Sequence, residues 1–213
     1  MNPVGCHGLV WTSDFGADRF DQIAGRIAAA GFDLFEVPLM DPWGFDAEAA
    51  AQSLQRHGLQ AVLSVGHDHG SDISAADFVA GIDAGNVKLH VDSFHMNIEE
   101  TDLYTPLLAV SSLIGYAHVS ENTRGYLGSG GVAFGDFFRG LADAGYTGPI
   151  TFETFSRHAL DPDLAGLLAV WRSFYDDTDD LAAHAATFIR NQLQAQSSGH
   201  APRSAVAKEG LRS

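Results

Sequence analysis

Three residues of metal-ligand type stand at equivalent places in the 213-residue sequence, each closing a short β-branched or aromatic run. Val91-Asp92-Ser93-Phe94-His95 offers a carboxylate, His118 followed by Ser120 and Glu121 offers an imidazole, and Phe152-Glu153-Thr154-Phe155 offers a second carboxylate. Such a set can converge on one divalent cation, and oxygen-rich sites with a single imidazole suit manganese, magnesium or cobalt better than zinc. Taken singly, each residue is better explained as a hydrogen-bonded polar group at a strand end. Three of them at equivalent positions favour a shared role. The one cysteine, Cys6, can form neither an internal disulfide nor a thiolate zinc cluster, so any metal is held by oxygen and imidazole. Cys6 itself reads as a small core residue, since nothing beside it in sequence would depress its pKa.

These residues act together only if the chain brings their strand ends to one place. The organising pattern is a junction in which an Ala-rich helical stretch stops at glycine and gives way to a strand-like run. It occurs at Gly31 before Leu34-Phe35-Glu36-Val37 and at Gly58 before Ala61-Val62-Leu63-Ser64-Val65. It recurs at Gly85 before Val87-Lys88-Leu89-His90-Val91-Asp92 and at Gly145 before Ile150-Thr151-Phe152-Glu153. Glycine just past a helix tolerates the left-handed backbone that closes the last turn. The spacings 58 − 31 = 27 and 85 − 58 = 27 each match one strand-loop-helix unit, and 145 − 85 = 60 holds two, with Ile114–Val119 as the additional strand. A first strand is predicted at Val4–Val10. Phe20, Ile23 and Ile27 share a helix face, Asp46 suits the cap of the helix through Leu54, and Thr178 that of a last helix carrying Leu181, Ala185, Phe188, Ile189 and Leu193. Apolar periodicity then ends, so residues 1–195 are expected to form one domain and 196–213 a disordered tail.

Strands alternating with helices across short turns imply an α/β fold with a parallel sheet. Without a Gly-x-Gly-x-x-Gly after the first strand, a TIM-type (β/α) barrel is favoured over a dinucleotide-binding sheet. About six βα units are two short of a closed barrel, so the barrel is expected to be incomplete. Functional groups of such barrels lie at the C-terminal strand ends, where Asp92, His118 and Glu153 stand. Composition narrows the partners. With 12 Lys plus Arg against 27 Asp plus Glu the net charge is −15, and no basic stripe is available to neutralise phosphates, which speaks against nucleic acid. No run approaches the roughly 18 to 20 apolar residues of a membrane span, and a cytoplasmic protein is expected.

Three separated segments together resemble the D-tagatose 3-epimerase and D-allulose 3-epimerase family, sugar isomerases of the xylose isomerase-like TIM barrel group. They are Val87-Lys88-Leu89-His90-Val91-Asp92-Ser93-Phe94-His95-Met96-Asn97-Ile98-Glu99-Glu100, Ala117-His118-Val119-Ser120-Glu121-Asn122-Thr123-Arg124-Gly125-Tyr126-Leu127-Gly128, and Thr151-Phe152-Glu153-Thr154-Phe155. The resemblance covers most of residues 1–195. It implies one divalent ion, usually manganese or cobalt with magnesium as an alternative, held by Asp92, His118 and Glu153. It implies further that His95 and Arg124 touch the sugar, that the substrate is a ketose, and that members associate as dimers or tetramers. Read alone, His95 serves equally well as a cap of the following helix and Arg124 as a solvent-facing charge.

Family members run to nearly 300 residues, with two more strands between their third and sixth. Here the chain passes from Val65 through His67-Asp68-His69-Gly70 to Phe78 with no room for them, which implies deletion of barrel strands four and five at a junction near Ala75-Ala76. The missing fifth strand carries the family's first catalytic glutamate. Epimerisation at carbon 3 removes an acidic proton alpha to a carbonyl through a metal-stabilised enediolate and returns it on the other face, which takes two opposed carboxylates. Glu153 resembles one of them and the other has no counterpart. Glu36 reads as structural, and His67 and His69 as a polar loop. Trp11 and Trp43 are equally suited to stacking on sugar or anchoring a loop. The expectation is therefore a ketose 3-epimerase type isomerase with weak or lost activity. The competing reading is a non-catalytic metal- or sugar-binding remnant of that family. An endonuclease of the same barrel group is disfavoured by the acidic balance and too few histidine and carboxylate motifs.

Overall fold

The computed structural model describes residues 2–38, 45–64 and 87–199. Its six strands are β1 (Val4–His7), β2 (Leu34–Pro38), β3 (Gln60–Ser64), β4 (Leu89–Asp92), β5 (Ile114–Val119) and β6 (Ile150–Phe152). The helices are α1 (Ala17–Ala29), α2 (Ala47–His57), α3 (Ser93–Glu99), α4 (Thr105–Ala109), α5 (Phe134–Asp143), α6 (Pro162–Leu167) and α7 (Thr178–Gly199), with a 3-10 turn at Gly8–Val10. Gly31, Gly58 and Gly145 take φ of 87°, 68° and 70°, the left-handed turns that end α1, α2 and α5 and aim the chain into the next strand. Gly85 and the junction near Ala75-Ala76 lie outside the described residues.

All pairings are parallel and the sheet order is β3-β2-β1-β6-β5-β4. The first and last strands are therefore neighbours at the centre of the sheet, as in a barrel that closes on itself. The order is the cyclic one, cut between β3 and β4, and the described residues supply six strands of what would be an eight-stranded ring. Among the described residues β3 and β4 pair with nothing on that side, so the structure is an incomplete, open barrel.

Strand residues alternate between two environments, as the period-two pleat requires. Val4, Cys6, Phe35, Val37, Ala117, Val119, Ile150 and Phe152 enter the apolar layer under the helices. They meet Phe20, Ile23, Ala24 and Ile27 of α1, Phe137, Phe138 and Leu141 of α5, and Leu181, Ala185 and Ile189 of α7. Each fully buried Phe or Ile here contributes about 1.5–3 kcal/mol by leaving water. The alternate residues face inward and are mostly polar. Packing here is close: a Cβ on Gly5 would crowd Leu34 Cδ2 and stand 2.7 Å from Thr151 Oγ1, so a side chain there would displace its neighbours.

Several boundaries differ from the sequence expectation. β1 stops at His7 rather than Val10, because the His7 ring takes the Leu9 N–H at 3.1 Å and turns the chain into the 3-10 segment. Asp177, not Thr178, caps α7, its carboxylate accepting from the N–H groups of Asp179 and Asp180 at 3.0 Å each. That helix runs on to Gly199, into the stretch expected to be tail, with Ser197 and Ser198 hydroxyls bonded back to the carbonyls of Leu193 and Gln194. Asp46 does cap α2, accepting the Ala49 N–H at 2.9 Å.

Candidate metal centre

The ends of β4, β5 and β6 are stitched together by hydroxyls. Ser93, just past β4, donates to the Ser120 carbonyl and accepts the Ser120 N–H, both at 2.9 Å. Ser120, just past β5, donates to the Glu153 carbonyl at 2.7 Å. Thr154 reaches back to the Arg124 carbonyl at 2.6 Å, which fastens the loop after β5 to the end of β6. Buried Glu121 orders the same loop by accepting from the N–H groups of Asn122, Gly128 and Val132 at 3.0, 2.9 and 3.2 Å.

On this frame Asp92, His118 and Glu153 come together, one ligand atom from each lying within 4.8 Å of the others. Each side chain is held by one atom and leaves another for the centre. Asp92 spends Oδ1 on capping α3, accepting the Phe94 N–H at 2.8 Å, and points Oδ2 at His118. Glu153 spends Oε2 on the Arg124 guanidinium at 3.0 Å and points Oε1 at His118. His118 binds Glu36 Oε2 through Nε2 at 2.6 Å, and its Nδ1 lies 3.9 Å from Asp92 Oδ2 and 3.5 Å from Glu153 Oε1. That Nδ1 is buried and has no hydrogen-bond partner among the described residues.

A buried ring nitrogen without a partner, facing two carboxylate oxygens, fits a cation. Two donors each about 2.1 Å from one ion lie at most about 4.2 Å apart, and both separations from Nδ1 fall inside that limit. The electrostatics agree. Burial and the neighbouring charge of Glu153 raise the Asp92 carboxyl above its ordinary range. Burial acts against charge on Glu153 too, but His118, His7 and Arg124 outweigh it and keep the carboxyl low. Burial likewise opposes a proton on His118, yet Glu153, Glu36 and Asp92 together push it up to about 9. In the absence of an ion an extra proton on the imidazole balances the carboxylates.

Of the remaining predicted residues, Arg124 and His95 stand beside this centre. Arg124 sits in left-handed backbone (φ 60°), its guanidinium 3.6 Å from the Phe94 ring centroid and 4.6 Å from that of Phe155. It is an inward-facing, ion-paired residue rather than a solvent-facing charge. His95, on α3, is 68% exposed at the rim with Nε2 3.9 Å from Asp92 Oδ2; the cap of that helix is Asp92. Trp11 is a loop anchor, its indole donating to Asp179 Oδ1 at 2.8 Å. Cys6 is fully buried, and burial raises its thiol pKa. Trp43, His67 and His69 lie outside the described residues.

Two inward residues were not singled out in the sequence. His7 ends β1, buried, with Nε2 3.3 Å from Ser64 Oγ and 3.8 Å from Glu36 Oε1. Tyr116, two residues before His118 on β5, donates to Glu36 Oε2 at 2.6 Å and contacts Thr151 Oγ1 at 2.5 Å. Tyr116 follows from the period-two pleat, and His7 would have been found had β1 been read as ending there.

The sequence matches the family described as xylose isomerase-like TIM barrel over residues 65–192. A ketose 3-epimerase of Arthrobacter globiformis is 30% identical, over 90% of this chain and 97% of the relative. An L-ribulose 3-epimerase of Methylomonas sp. (strain DH-1) is 28% identical, over 88% and 96%. Among solved structures, a D-allulose 3-epimerase from Methylomonas sp. in complex with D-allulose superposes with a TM-score of 0.83 at 28% identity, over 90% of this chain and 97% of that one. The alignment with the Arthrobacter protein is 280 positions long, and 280 − 213 = 67, so the relative carries at least that many residues without a counterpart here. Among the described residues no helix is long and apolar enough to cross a membrane.

Proposed function

Because the chain belongs to the xylose isomerase-like TIM barrel family, among its ketose 3-epimerases, we propose that it binds a ketose beside one divalent cation held by Asp92, His118 and Glu153. Glu153 is the carboxylate that exchanges the proton at carbon 3, and among the described residues its opposed partner is lacking. The observation that carries this reading is the buried, partnerless Nδ1 of His118 between two carboxylate oxygens. Two carboxylates and one imidazole suit manganese or cobalt, with magnesium as the alternative. When bound, the ion supplies Lewis-acid stabilisation of the charge that develops as the proton leaves.

The chain's own residues do the rest. Arg124 holds Glu153 in place through one guanidinium nitrogen and offers its remaining N–H groups to sugar hydroxyls. Its guanidinium lies over the rings of Phe94 and Phe155, which hold it in place against the carboxylate. His95, exposed at the rim, reaches a second hydroxyl. Inversion at carbon 3 then needs a second acid/base group on the opposite face. Among the described residues the other carboxylates beside the centre are already engaged, Glu36 by His118 and Tyr116, and Glu121 by three backbone N–H groups. Losing one member of an acid/base pair costs about 10²–10⁴ in rate, so turnover far below that of complete relatives is expected.

The same gap favours a second reading, a protein that binds metal and sugar without turning sugar over. Calorimetric titration with manganese, with and without D-fructose or D-tagatose, paired with a turnover assay, separates the two. Slow epimerisation lost in Glu153→Gln supports the first reading, and binding without turnover the second. Turnover equal to that of complete relatives would overturn the claim that a catalytic group is missing.

A further inference from the structure

We propose that Glu36 is the positioning residue for the metal histidine: reaching across the barrel interior from β2, its carboxylate fixes the ring of His118 so that Nδ1 faces Asp92 and Glu153. This role presupposes the cation site proposed above and adds to it a residue on the opposite side of the ring. Glu36 is 1% exposed, and the two residues are 82 apart in sequence and separated in the sheet by β1 and β6. On β1, between them, the inward position is Gly5, where a Cβ would crowd Leu34 and Thr151.

The hydrogen bonds dictate the tautomer. A carboxylate only accepts, so at 2.6 Å from Glu36 Oε2 the Nε2 of His118 must be the donor. With the ring proton on Nε2, the lone pair of the neutral imidazole lies on Nδ1, the atom without a partner. Glu36 is itself held. Tyr116 donates to the same Oε2 at 2.6 Å, and Tyr116 is braced by Thr151 Oγ1 at 2.5 Å. The other oxygen, Oε1, lies 3.8 Å from His7 Nε2. A carboxylate bonded to the far nitrogen of a metal-bound imidazole orients the ring and raises its basicity, and removing such a partner typically costs about 10–100-fold in metal affinity. The purely structural alternative, in which Glu36 only ties β2 to β5, predicts no effect on how His118 binds an ion.

The test uses the full chain and zinc as a diamagnetic probe, with affinities from calorimetry and the state of His118 from nitrogen-15 NMR. In the zinc-loaded wild type the expectation is a coordinated Nδ1 and a slowly exchanging Nε2–H. Glu36→Gln is expected to bind zinc about 10–100-fold more weakly, with faster exchange at Nε2. Tyr116→Phe is expected to shift both readouts in the same direction by less. If His118→Ala abolishes binding while Glu36→Gln binds within threefold of wild type with the same spectrum, the positioning role is wrong and the cation site stands. If wild type and His118→Ala bind alike, or wild type binds no zinc, the cation site itself is wrong. Should Glu36→Gln fail to fold, the spectrum of the zinc-loaded wild type decides: zinc on Nε2, or a proton on Nδ1, overturns the proposal.

Discussion

Metal affinity should depend steeply on pH, because the nitrogen that would hold the ion competes with a proton. His118 sits at about 9 in the ion-free protein, against 6.5 for an ordinary histidine. At pH 6.5 only about 0.3% of molecules then have Nδ1 free, against about half for an unperturbed ring, and at pH 8.5 about a quarter do. Ligands bind metal deprotonated, so affinity rises with this fraction, by roughly 75-fold between pH 6.5 and 8.5, and close to one proton leaves per ion bound at pH 7. Calorimetry with manganese under anaerobic conditions reads both quantities: the affinity at several pH values, and the proton count from buffers of different ionisation enthalpy. A change in affinity below threefold over that range, or no proton release at pH 7, would refute the assignment of His118 Nδ1 as a ligand.

Stability of the ion-free protein should peak in mildly acidic solution. The raised pKa of His118 contributes stability that is full below 6.5 and lost as pH rises through about 9. Glu36, held to about 2 although burial opposes its charge, chiefly by the His118 hydrogen bond, contributes stability that is full above 4.5 and lost as pH falls through 2. The two shifts partly describe one attraction and are not added. Denaturant unfolding should show a loss on the order of 3 kcal/mol between pH 6 and 9.5, and most of that slope should vanish in His118→Gln. Separately, Glu121→Ala strips three backbone N–H groups of their acceptor, of which that of Val132 is buried, and should cost about 1–3 kcal/mol. Amide exchange at Gly128 and Val132 should quicken with it, whereas Glu121→Gln, which keeps one acceptor oxygen, should lose less.

The parts of the fold legible in the sequence are those set by local chemistry. Gly31, Gly58 and Gly145 mark helix ends because only glycine enters left-handed backbone without strain, so each announces the strand after it. Asp92, His118 and Glu153 stood out because a parallel barrel gathers the ends of its strands, and that gathering does not depend on the two missing strands. What escaped depends on contacts distant in sequence. Glu36 gave no sign that it meets His118, since the two are 82 residues apart and stand on strands separated by β1 and β6. His7 was hidden by a strand read as running to Val10, when the His7 ring itself ends β1 by capturing the Leu9 N–H. Thr178 and Asp177 are both good caps, and because α7 already begins at Thr178 the cap falls to Asp177.

The most direct check on the central claim is a crystal structure of the manganese-loaded protein with the ion located by its anomalous scattering. One peak is expected, about 2.0–2.3 Å from Asp92 Oδ2, His118 Nδ1 and Glu153 Oε1, with His118 Nε2 still bonded to Glu36. No peak there at saturating manganese, or an ion bound through His118 Nε2, would contradict it.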